Sequence, residues 1–399
     1  MYRPANSFLV QAGQASLAAA ASAAAAAAPG LHPIVIRFGR LGDMVLLSPL
    51  LNLLRRRYRM PCWLIGSGPW STQLYRGHED IAQIWSLAGR HTPLLLGPTW
   101  WRVLWALRHS GKSPVYVCES AASQRLKRIK VLLALAGVEP ARCLFLQEDV
   151  ADGNEHRVDG LLRFGKQTPS ALQAANFPCP EVDPAPQLKV QDEHRLECER
   201  WIRAQGWSGR PIVLVQPGNR RTMRQHRWRR NQIDDKGWSL ANWSALLRCV
   251  HASLPQAQIV LCGSRQELTL LRRIRLVTGL NEVVAERLSP SRLLALCEVA
   301  HSMISVDTGP AHVAAALGSP LVVIFGNTSP RHWLPRSVLG GRVIALGGPP
   351  GVCHVDQISV PEVFEAWRSL PVRQHSLTGV SLAGQSARTG AVSQFEFFP

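Results

Sequence analysis

The sequence predicts an α/β protein built from two doubly wound domains of parallel sheet and helix that face a central cleft. Short apolar runs typical of buried strands alternate with amphipathic helical stretches in both halves of the chain. The length of 399 residues exceeds what one ordinary core organises and suits two domains. A proline-rich stretch at 178–188 separates the halves and is the predicted linker.

The first half is predicted to open with a strand, a loop and a helix. Residues 34–38 form the strand, 39–43 the glycine-containing loop, and 44–58 a helix with leucines at helical spacing and a cationic last turn. The elements expected to follow are strands at 63–65 and 115–118 and helices at 100–108 and 123–136.

The second half is predicted to repeat this alternation. Helices are expected at 192–205, 240–253 and 265–277, strands at 212–215 and 258–261, and a last helix around 362–367. Between them, residues 302–326 form a strand, a tight loop, a short helix and a strand. Pro310 suits the start of that helix, and Gly318 followed by Pro320 ends it.

The loop before this short helix offers a carboxylate, a hydroxyl and a glycine, in Asp307, Thr308 and Gly309. Together with free N–H groups at a helix N-terminus, these groups can hold a phosphate and its attached sugar. The alternative is an ordinary crossover in which Thr308 and Gly309 only cap the helix.

The charge balance predicts anionic partners. The chain has 45 Lys and Arg against 27 Asp and Glu, which suits a nucleotide, a phosphorylated glycan, an acidic lipid or a nucleic acid. No recognition-helix pattern, RNP-like aromatic set or zinc module supports nucleic acid. Nine dispersed cysteines without a C-x-x-C pair indicate reduced thiols.

Two terminal stretches are predicted to lie outside the fold. Residues 1–31 are alanine-rich and imitate a secretory signal, but their centre is too weakly apolar, so a low-complexity tail is expected. Residues 372–399 are rich in Ser, Gly and Gln and are expected to be disordered. The sequence contains no run of eighteen strongly apolar residues, so no membrane-spanning helix is predicted. The tryptophan- and arginine-containing helix at 100–108 fits either core packing or an amphipathic membrane contact.

Asp43 is the first candidate for chemistry. It follows a strand and two glycines, where an open α/β sheet binds ligands, and either accepts a proton from a hydroxyl or caps the next helix. The arginine-rich loop at 220–230, followed by Lys236, either contacts nucleic acid or anionic lipid or neutralises a diphosphate leaving group.

Glu267 lies one turn after a strand that ends near Gly263. From this position its carboxylate can either accept hydrogen bonds from ribose hydroxyls or cap the next helix. His312, in the short helix, has no partner at the spacing of a metal pair. No Asp-x-Asp motif occurs, so no metal is expected.

Taken together and in this order, four motifs resemble glycosyltransferase family 9, the heptosyltransferases of lipopolysaccharide core assembly, over residues 32–370. They are the IRFGRLGD run ending at Asp43, QPGN with the later KGW, LCGS with Glu267, and the DTGPAH loop with Phe325 and Gly326. The resemblance implies a GT-B fold and an inverting, metal-independent transfer of heptose from ADP-heptose to a lipid-linked inner-core acceptor.

The resemblance also implies roles for residues. Asp43 is expected to be the general base. The expected donor-binding residues are Thr222, Lys236, Glu267, Asp307, Thr308, Gly309 and His312. The expected acceptor-binding residues are Arg37, Arg40 and Gly42. Residues 32–177 would bind the acceptor and residues 189–371 the donor.

The expected location is cytoplasmic, with peripheral contact to the inner membrane. Beyond the ADP-sugar donor, no cofactor is expected. Two alternatives stay open: the same fold using another nucleotide sugar in envelope glycan synthesis, and a non-catalytic anion- or nucleotide-binding module at the membrane.

Overall fold

A computed structural model describes residues 30–87, 97–119, 124–146, 155–219, 237–337 and 341–371. Two sheets made of parallel strands organise these residues, one from each half of the chain. The prediction of two doubly wound α/β units is confirmed.

The first sheet has five strands in the order β3-β2-β1-β4-β5. Their bounds are β1 Ile34–Arg37, β2 Cys62–Ser67, β3 Ile81–Leu87, β4 Val115–Val117 and β5 Cys143–Phe145. The strand order reverses direction at β1, so a switch point lies between β1 and β4.

The second sheet has six strands in the order β11-β10-β9-β6-β7-β8. Their bounds are β6 Ile212–Gln216, β7 Gln258–Gly263, β8 Val283–Arg287, β9 Ser302–Val306, β10 Leu321–Phe325 and β11 Val343–Gly347. Counted from β6, this is the 3-2-1-4-5-6 order of dinucleotide-binding folds, with its switch point between β6 and β9.

Helices connect the strands in both halves. Those of the first half are α1 Leu41–Val45, α2 Ser48–Tyr58, α3 Trp70–Tyr75, α4 Pro98–Arg108, α5 Gln124–Leu135 and α6 Arg157–Gly165. Those of the second half are α7 Asp192–Ala204, α8 Leu240–Ser253, α9 Leu268–Thr278, α10 Pro290–Val299, α11 Gly309–Ala316, α12 Pro330–Trp333 and α13 Val360–Arg368. Among the described residues, no helix is both long and apolar enough to cross a membrane.

The predicted helix at 44–58 is two helices, α1 and α2, in the structure. Pro49 occupies the first turn of α2 and has no N–H to donate to the carbonyl one turn earlier, so the helix is interrupted there. Helix α1 starts at Leu41, which moves Gly42 and Asp43 from the predicted loop into a helical first turn.

Four strands were not predicted from the sequence: β3, β5, β8 and β11. They are the edge strands of the two sheets. The residues of β3, β5 and β11 are mostly half-buried or exposed, whereas those of β9 and β10 are buried throughout. An edge strand therefore lacks the continuous apolar run by which a central parallel strand is predicted.

The largest apolar core joins both halves of the molecule. It includes Val35 and Met44 from the first half and Ala311 and Phe325 from the second. A shared core of this kind holds the two sheets in one arrangement and so fixes the loops at their facing ends.

Candidate active site

The predicted functional residues that the structure describes follow the carboxyl ends of strands at or beside the two switch points. Asp43 follows β1, Asp307 and Thr308 follow β9, and Glu267 follows β7, beside β6. The carboxyl ends of parallel strands meet at one edge of a sheet, where open α/β folds bind ligands.

The Asp43 carboxylate is held by two groups. Arg37, at the end of β1, donates from Nη2 to Oδ1 at 3.0 Å, and the backbone N–H of Arg40 donates to Oδ2 at 2.9 Å. The second bond is a capping bond, because Asp43 is the third residue of α1. Asp43 thus caps its helix, the simpler of the two sequence interpretations, and a quarter of its side chain stays exposed.

The charge state of Asp43 suits a proton acceptor. Burial favours the neutral carboxyl, but the Arg37 guanidinium and the Arg40 N–H outweigh it and hold the pKa of Asp43 below its usual value. Asp43 is therefore ionised at neutral pH. Arg37 is fixed in turn by donating to the carbonyl oxygen of Cys118, which follows β4.

The first turns of α1 and α11 meet at two glycines. A Cβ on Gly309 would lie 2.9 Å from the backbone nitrogen of Gly42 and 3.0 Å from Cβ of Leu41. A Cβ on Gly42 would lie 3.2 Å from Cδ2 of His312. Glycine at both positions lets the two halves approach this closely. As a result, Asp43 and the Gly309–His312 turn share one site.

Thr308 does not cap α11 with its side chain. Its hydroxyl donates to the carbonyl of Val306 at 3.2 Å and lies 3.2 Å from the Ser305 hydroxyl. Asp307 accepts a hydrogen bond of 2.8 Å from Thr328, in the loop after β10. Thr308 is the N-cap residue of α11, but its hydroxyl makes no capping hydrogen bond and so does not occupy the N-terminal N–H groups of the helix.

Glu267 lies in a second, more enclosed cluster. Its carboxylate accepts bonds from the backbone N–H of Ser264 at 2.7 Å and from Nε2 of Gln216 at 3.1 Å. Burial raises the pKa of Glu267 despite these bonds. Gly218 and Gly263 border the carboxylate, and a side chain on either would contact it. Glu267 is thus a positioned hydrogen-bond acceptor at the end of β7.

The two clusters are neighbours across the sheet. Gln216 of β6 is the register partner of Ser305 of β9, whose hydroxyl lies against Thr308. Paired strands lie about 4.8 Å apart, so a continuous polar edge runs from Glu267 past Thr308 to Gly309 and Asp43. This edge has hydrogen-bond acceptors at one end, the N-terminal N–H groups of a helix in the middle and a carboxylate at the other end.

A pocket beside Asp43 is lined by cationic side chains. Arg37, Arg157 and Arg163 line it, together with Glu155 and Trp333. Arg163 is bound by Glu155 through two bonds of 3.0 and 2.8 Å, and the Arg157 guanidinium lies 5.1 Å from the centre of the Trp333 ring. Arg157 and Trp333 belong to opposite halves, so both halves form this pocket.

Contacts between the start of α6 and the segment after α12 lie beside the same pocket. His156 Nε2 donates to the Leu334 carbonyl at 3.0 Å, and Arg336 makes a two-bond pair with Asp159 at 2.6 and 2.7 Å. Burial lowers the pKa of His156, so its ring is neutral at pH 7 and keeps Nδ1 as an acceptor for the Val158 N–H.

Most of the predicted site residues lie together along this edge: Arg37, Arg40, Gly42, Asp43, Glu267, Asp307, Thr308, Gly309 and His312. Thr222, Lys236 and the arginine-rich loop at 220–230 lie outside the described residues.

Three further residues contribute to this edge: Gln216, which the sequence interpretation named only within the QPGN motif, and Glu119 and Thr328, which it did not single out. Glu119 accepts the Phe38 N–H at 2.6 Å, Gln216 binds Glu267, and Thr328 binds Asp307. Each lies at or just after the end of a strand, which is the signal that would have indicated them. In the described parts of the chain, no three His, Cys, Asp or Glu side chains are grouped to hold a metal ion.

A family model described as glycosyltransferase family 9 (heptosyltransferase) matches residues 166–347, which include Gln216, Glu267 and the 307–312 turn. Over these residues, which make up less than half of the chain, the protein is similar to glycosyltransferase family 9. Among curated proteins, lipopolysaccharide heptosyltransferase 3 of Escherichia coli is 28% identical over 131 residues, covering 32% of this chain and 35% of the relative. The matched segments span about a third of the curated relatives' length.

Two solved structures share the fold over most of the chain. A family 9 glycosyltransferase from Veillonella parvula has a TM-score of 0.65 at 14% identity, covering 86% of this chain and 98% of its own. The E. coli ADP-heptose lipopolysaccharide heptosyltransferase II has a TM-score of 0.61 at 19% identity, covering 85% and 98%. At these identities the likeness is one of fold, and the predicted GT-B fold is confirmed.

Proposed function

We propose that this protein is an inverting glycosyltransferase that moves heptose from ADP-heptose to a lipopolysaccharide inner-core acceptor. The observation that carries the proposal is the ionised Asp43 carboxylate in the turn that contacts Gly309, between an anion-binding helix start and a cationic pocket. The family-model match over residues 166–347 and the heptosyltransferase names of the relatives support the choice of sugar and acceptor.

The polar edge gives each part of the donor a partner. The ribose hydroxyls would donate to Glu267, the acceptor at the enclosed end of the edge. The diphosphate would accept from the N-terminal N–H groups of α11, beside Thr308 and Gly309. Asp307 and His312 would contact the sugar, and Thr222 and Lys236 are expected to contact the phosphates.

The reaction would be a single displacement. Asp43 accepts the proton of the attacking acceptor hydroxyl, whose oxygen forms a bond to the anomeric carbon as the bond from that carbon to the diphosphate oxygen breaks. The electron pair leaves with ADP, whose developing charge is stabilised by the α11 N–H groups and the expected Lys236. One displacement inverts the anomeric configuration. Transfer is expected to continue in the presence of a chelator.

The pocket beside Asp43 would bind the acceptor. Arg37, Arg157 and Arg163 suit the carboxylates or phosphates of an acidic core sugar. Arg40 and Gly42 lie in the same turn as Asp43 and would contact the acceptor near its reacting hydroxyl. Because the proposed acceptor is lipid-linked, we place the protein on the cytoplasmic face of the inner membrane by peripheral contact.

The test is a turnover screen of nucleotide sugars against delipidated core acceptors, with product mass as the readout. The parent is expected to transfer heptose from ADP-heptose. Asp43→Ala and Asp43→Asn are expected to bind ADP as the parent does and to give no product, and Asp43→Asn retains an oxygen to accept the Arg40 N–H. Equal turnover by either variant would refute the assignment of the base.

The same screen separates the alternatives. If product forms with another nucleotide sugar and not with ADP-heptose, the same site uses a different donor. A folded protein whose melting temperature no nucleotide diphosphate or diphosphate sugar raises would instead be a non-catalytic anion-binding module.

A further inference from the structure

Helices α4 and α5 lie on one face of the first sheet and share a core. Trp100, Val103 and Leu107 of α4 are buried there with Ile129 and Leu132 of α5. The opposite sides of both helices are exposed. The sequence pattern at 100–108 allowed core packing or membrane contact, and the structure assigns its residues to two opposite sides.

The exposed side carries large apolar side chains. Trp101 and Trp105, one helical turn apart on α4, are 56% and 66% exposed. Val131 and Leu135 of α5, also one turn apart, are 57% and 53% exposed. Trp100, the neighbour of Trp101, is only 4% exposed. We call Trp101, Trp105, Val131 and Leu135, with the exposed cations of α4 and α5, the tryptophan face.

The charges of the tryptophan face have one sign. Neither α4 nor α5 contains an Asp or Glu. The exposed cations on these helices are Arg102, Arg108, Lys127, Arg128 and Lys130. The nearest acidic residues along the chain are Glu119, which is buried, and Glu139, which is exposed after α5. A partner with complementary charge must therefore be anionic.

Apolar and cationic groups interleaved in this way match a membrane surface. Tryptophan partitions to the level of lipid headgroups, where its ring is apolar and its N–H is hydrated. Aliphatic side chains enter the acyl boundary, and Lys and Arg contact anionic headgroups. Nucleic acid would match the cations and the indoles but offers nothing to Val131 and Leu135.

The tryptophan face also lies close to the candidate active site. Arg125, in the first turn of α5, donates to the carbonyl of Phe38, in the turn that leads to Asp43. With the rise of an α-helix, Val131 and Leu135 lie about 9 and 15 Å further along the axis. A bilayer on this face would thus bring a lipid-linked acceptor within reach of the pocket beside Asp43.

We propose that the tryptophan face docks onto an anionic lipid bilayer. The proposal deepens the proposed function, on which it rests for the lipid-linked acceptor, by naming the surface that contacts the membrane. Indoles and aliphatic side chains enter the interface, and the α4 and α5 cations contact anionic headgroups.

The experiment is flotation of the full-length protein with vesicles of phosphatidylcholine, with and without phosphatidylglycerol. The parent is expected to bind only the vesicles that contain phosphatidylglycerol and to be released by salt. Trp101→Ser/Trp105→Ser and Lys127→Glu/Arg128→Glu are each expected to reduce the partition coefficient roughly tenfold or more. All four side chains are exposed, so the variants are expected to fold.

The matched control is Arg272→Glu/Leu276→Ser on α9, which also presents exposed arginines and a leucine exposed to 82% but no tryptophan. It is expected to bind vesicles as the parent does. Loss of binding in this variant and not in the α4 and α5 variants would overturn the proposal. A parent that does not bind phosphatidylglycerol vesicles would also overturn it. So would Trp101→Ser/Trp105→Ser variants that bind vesicles as the parent does but are monomers where the parent is a dimer.

Turnover with delipidated acceptor separates this proposal from the proposed function. The α4 and α5 variants are expected to keep parental turnover, because none of their changed residues lines the pocket beside Asp43. A parent that binds vesicles through the tryptophan face but transfers no sugar would refute the proposed function and leave the docking surface standing.

Discussion

The Cα of Gly309 lies against the backbone of Gly42, so that a Cβ on Gly309 would lie 2.9 Å from the Gly42 nitrogen. This contact joins the first turn of α11, from the second half, to the first turn of α1, which carries Asp43. The position of the Asp43 carboxylate next to the first turn of α11 therefore depends on the absence of a side chain at Gly42 and at Gly309.

Gly309→Ala is expected to push the two turns apart, because the groups that its Cβ meets are backbone and Cβ atoms that cannot rotate away. A displacement near 1 Å at a reacting centre typically costs about a hundredfold in rate. We expect transfer to fall by roughly that factor, with circular dichroism unchanged. Gly351→Ala, where a Cβ meets nothing within 4 Å, is the control and is expected to keep parental transfer.

Arg37→Met is expected to move the acid limit of transfer to higher pH. Because Arg37 lowers the pKa of Asp43, the carboxylate stays ionised until the pH falls through that lowered value. Without Arg37, burial raises the pKa, and activity is lost at a higher pH. The measurement is the pH dependence of kcat. An unchanged profile would show that Arg37 does not set the ionisation of Asp43.

Arg40→Ala serves as the control for Arg37. Arg40 bonds Asp43 through its backbone N–H, which alanine retains. Among the groups that shift the pKa of Asp43, the charge of Arg40 has the smallest effect. A smaller shift of the acid limit is therefore expected.

Glu267→Gln is expected to weaken ADP binding roughly ten- to a hundredfold, since a hydrogen bond to a charged acceptor is worth about 1.5–3 kcal/mol. Isothermal titration with ADP measures this loss. Parental affinity in the variant would exclude Glu267 from the nucleoside site.

The same change is expected to raise the stability of the variant relative to the parent as the pH rises from acidic to neutral. The folded pKa of Glu267 is raised by burial, so its favourable contribution is present at low pH and is lost as the pH rises through the folded pKa. Glutamine removes that pH-dependent loss. Urea unfolding at acidic and neutral pH should show the variant gaining relative to the parent as the pH rises.

Arg157→Ala is expected to raise the KM for the acceptor several-fold and to leave the KM for the donor unchanged. Arg157 lines the pocket beside Asp43, whereas the donor is assigned to the edge from Glu267 to Gly309. Arg200→Ala, on the exposed side of α7, is the matched control. A change in the donor KM with a constant acceptor KM would contradict the assignment of the pocket.

The sequence alone determined the fold class and much of the candidate site. Central parallel strands are buried on both faces, so they appear as continuous apolar runs, and the polar residues that follow them mark the ligand-binding edge. Asp43, Glu267 and the 307–312 turn were identified in this way. The edge strands were not predicted, because strands such as β3 and β11 are half exposed and have no such run.

Only the tertiary structure decided which of these groups meet. Helix periodicity did not assign Trp100 to the core and Trp101 to the surface, and no local pattern indicates that Gly42 contacts Gly309 or that Arg37 binds Asp43. The physical reason is that local sequence sets backbone conformation and the ends of strands. Contacts between distant residues depend instead on how two sheets pack through a shared core, and that packing placed Asp43 opposite the start of α11.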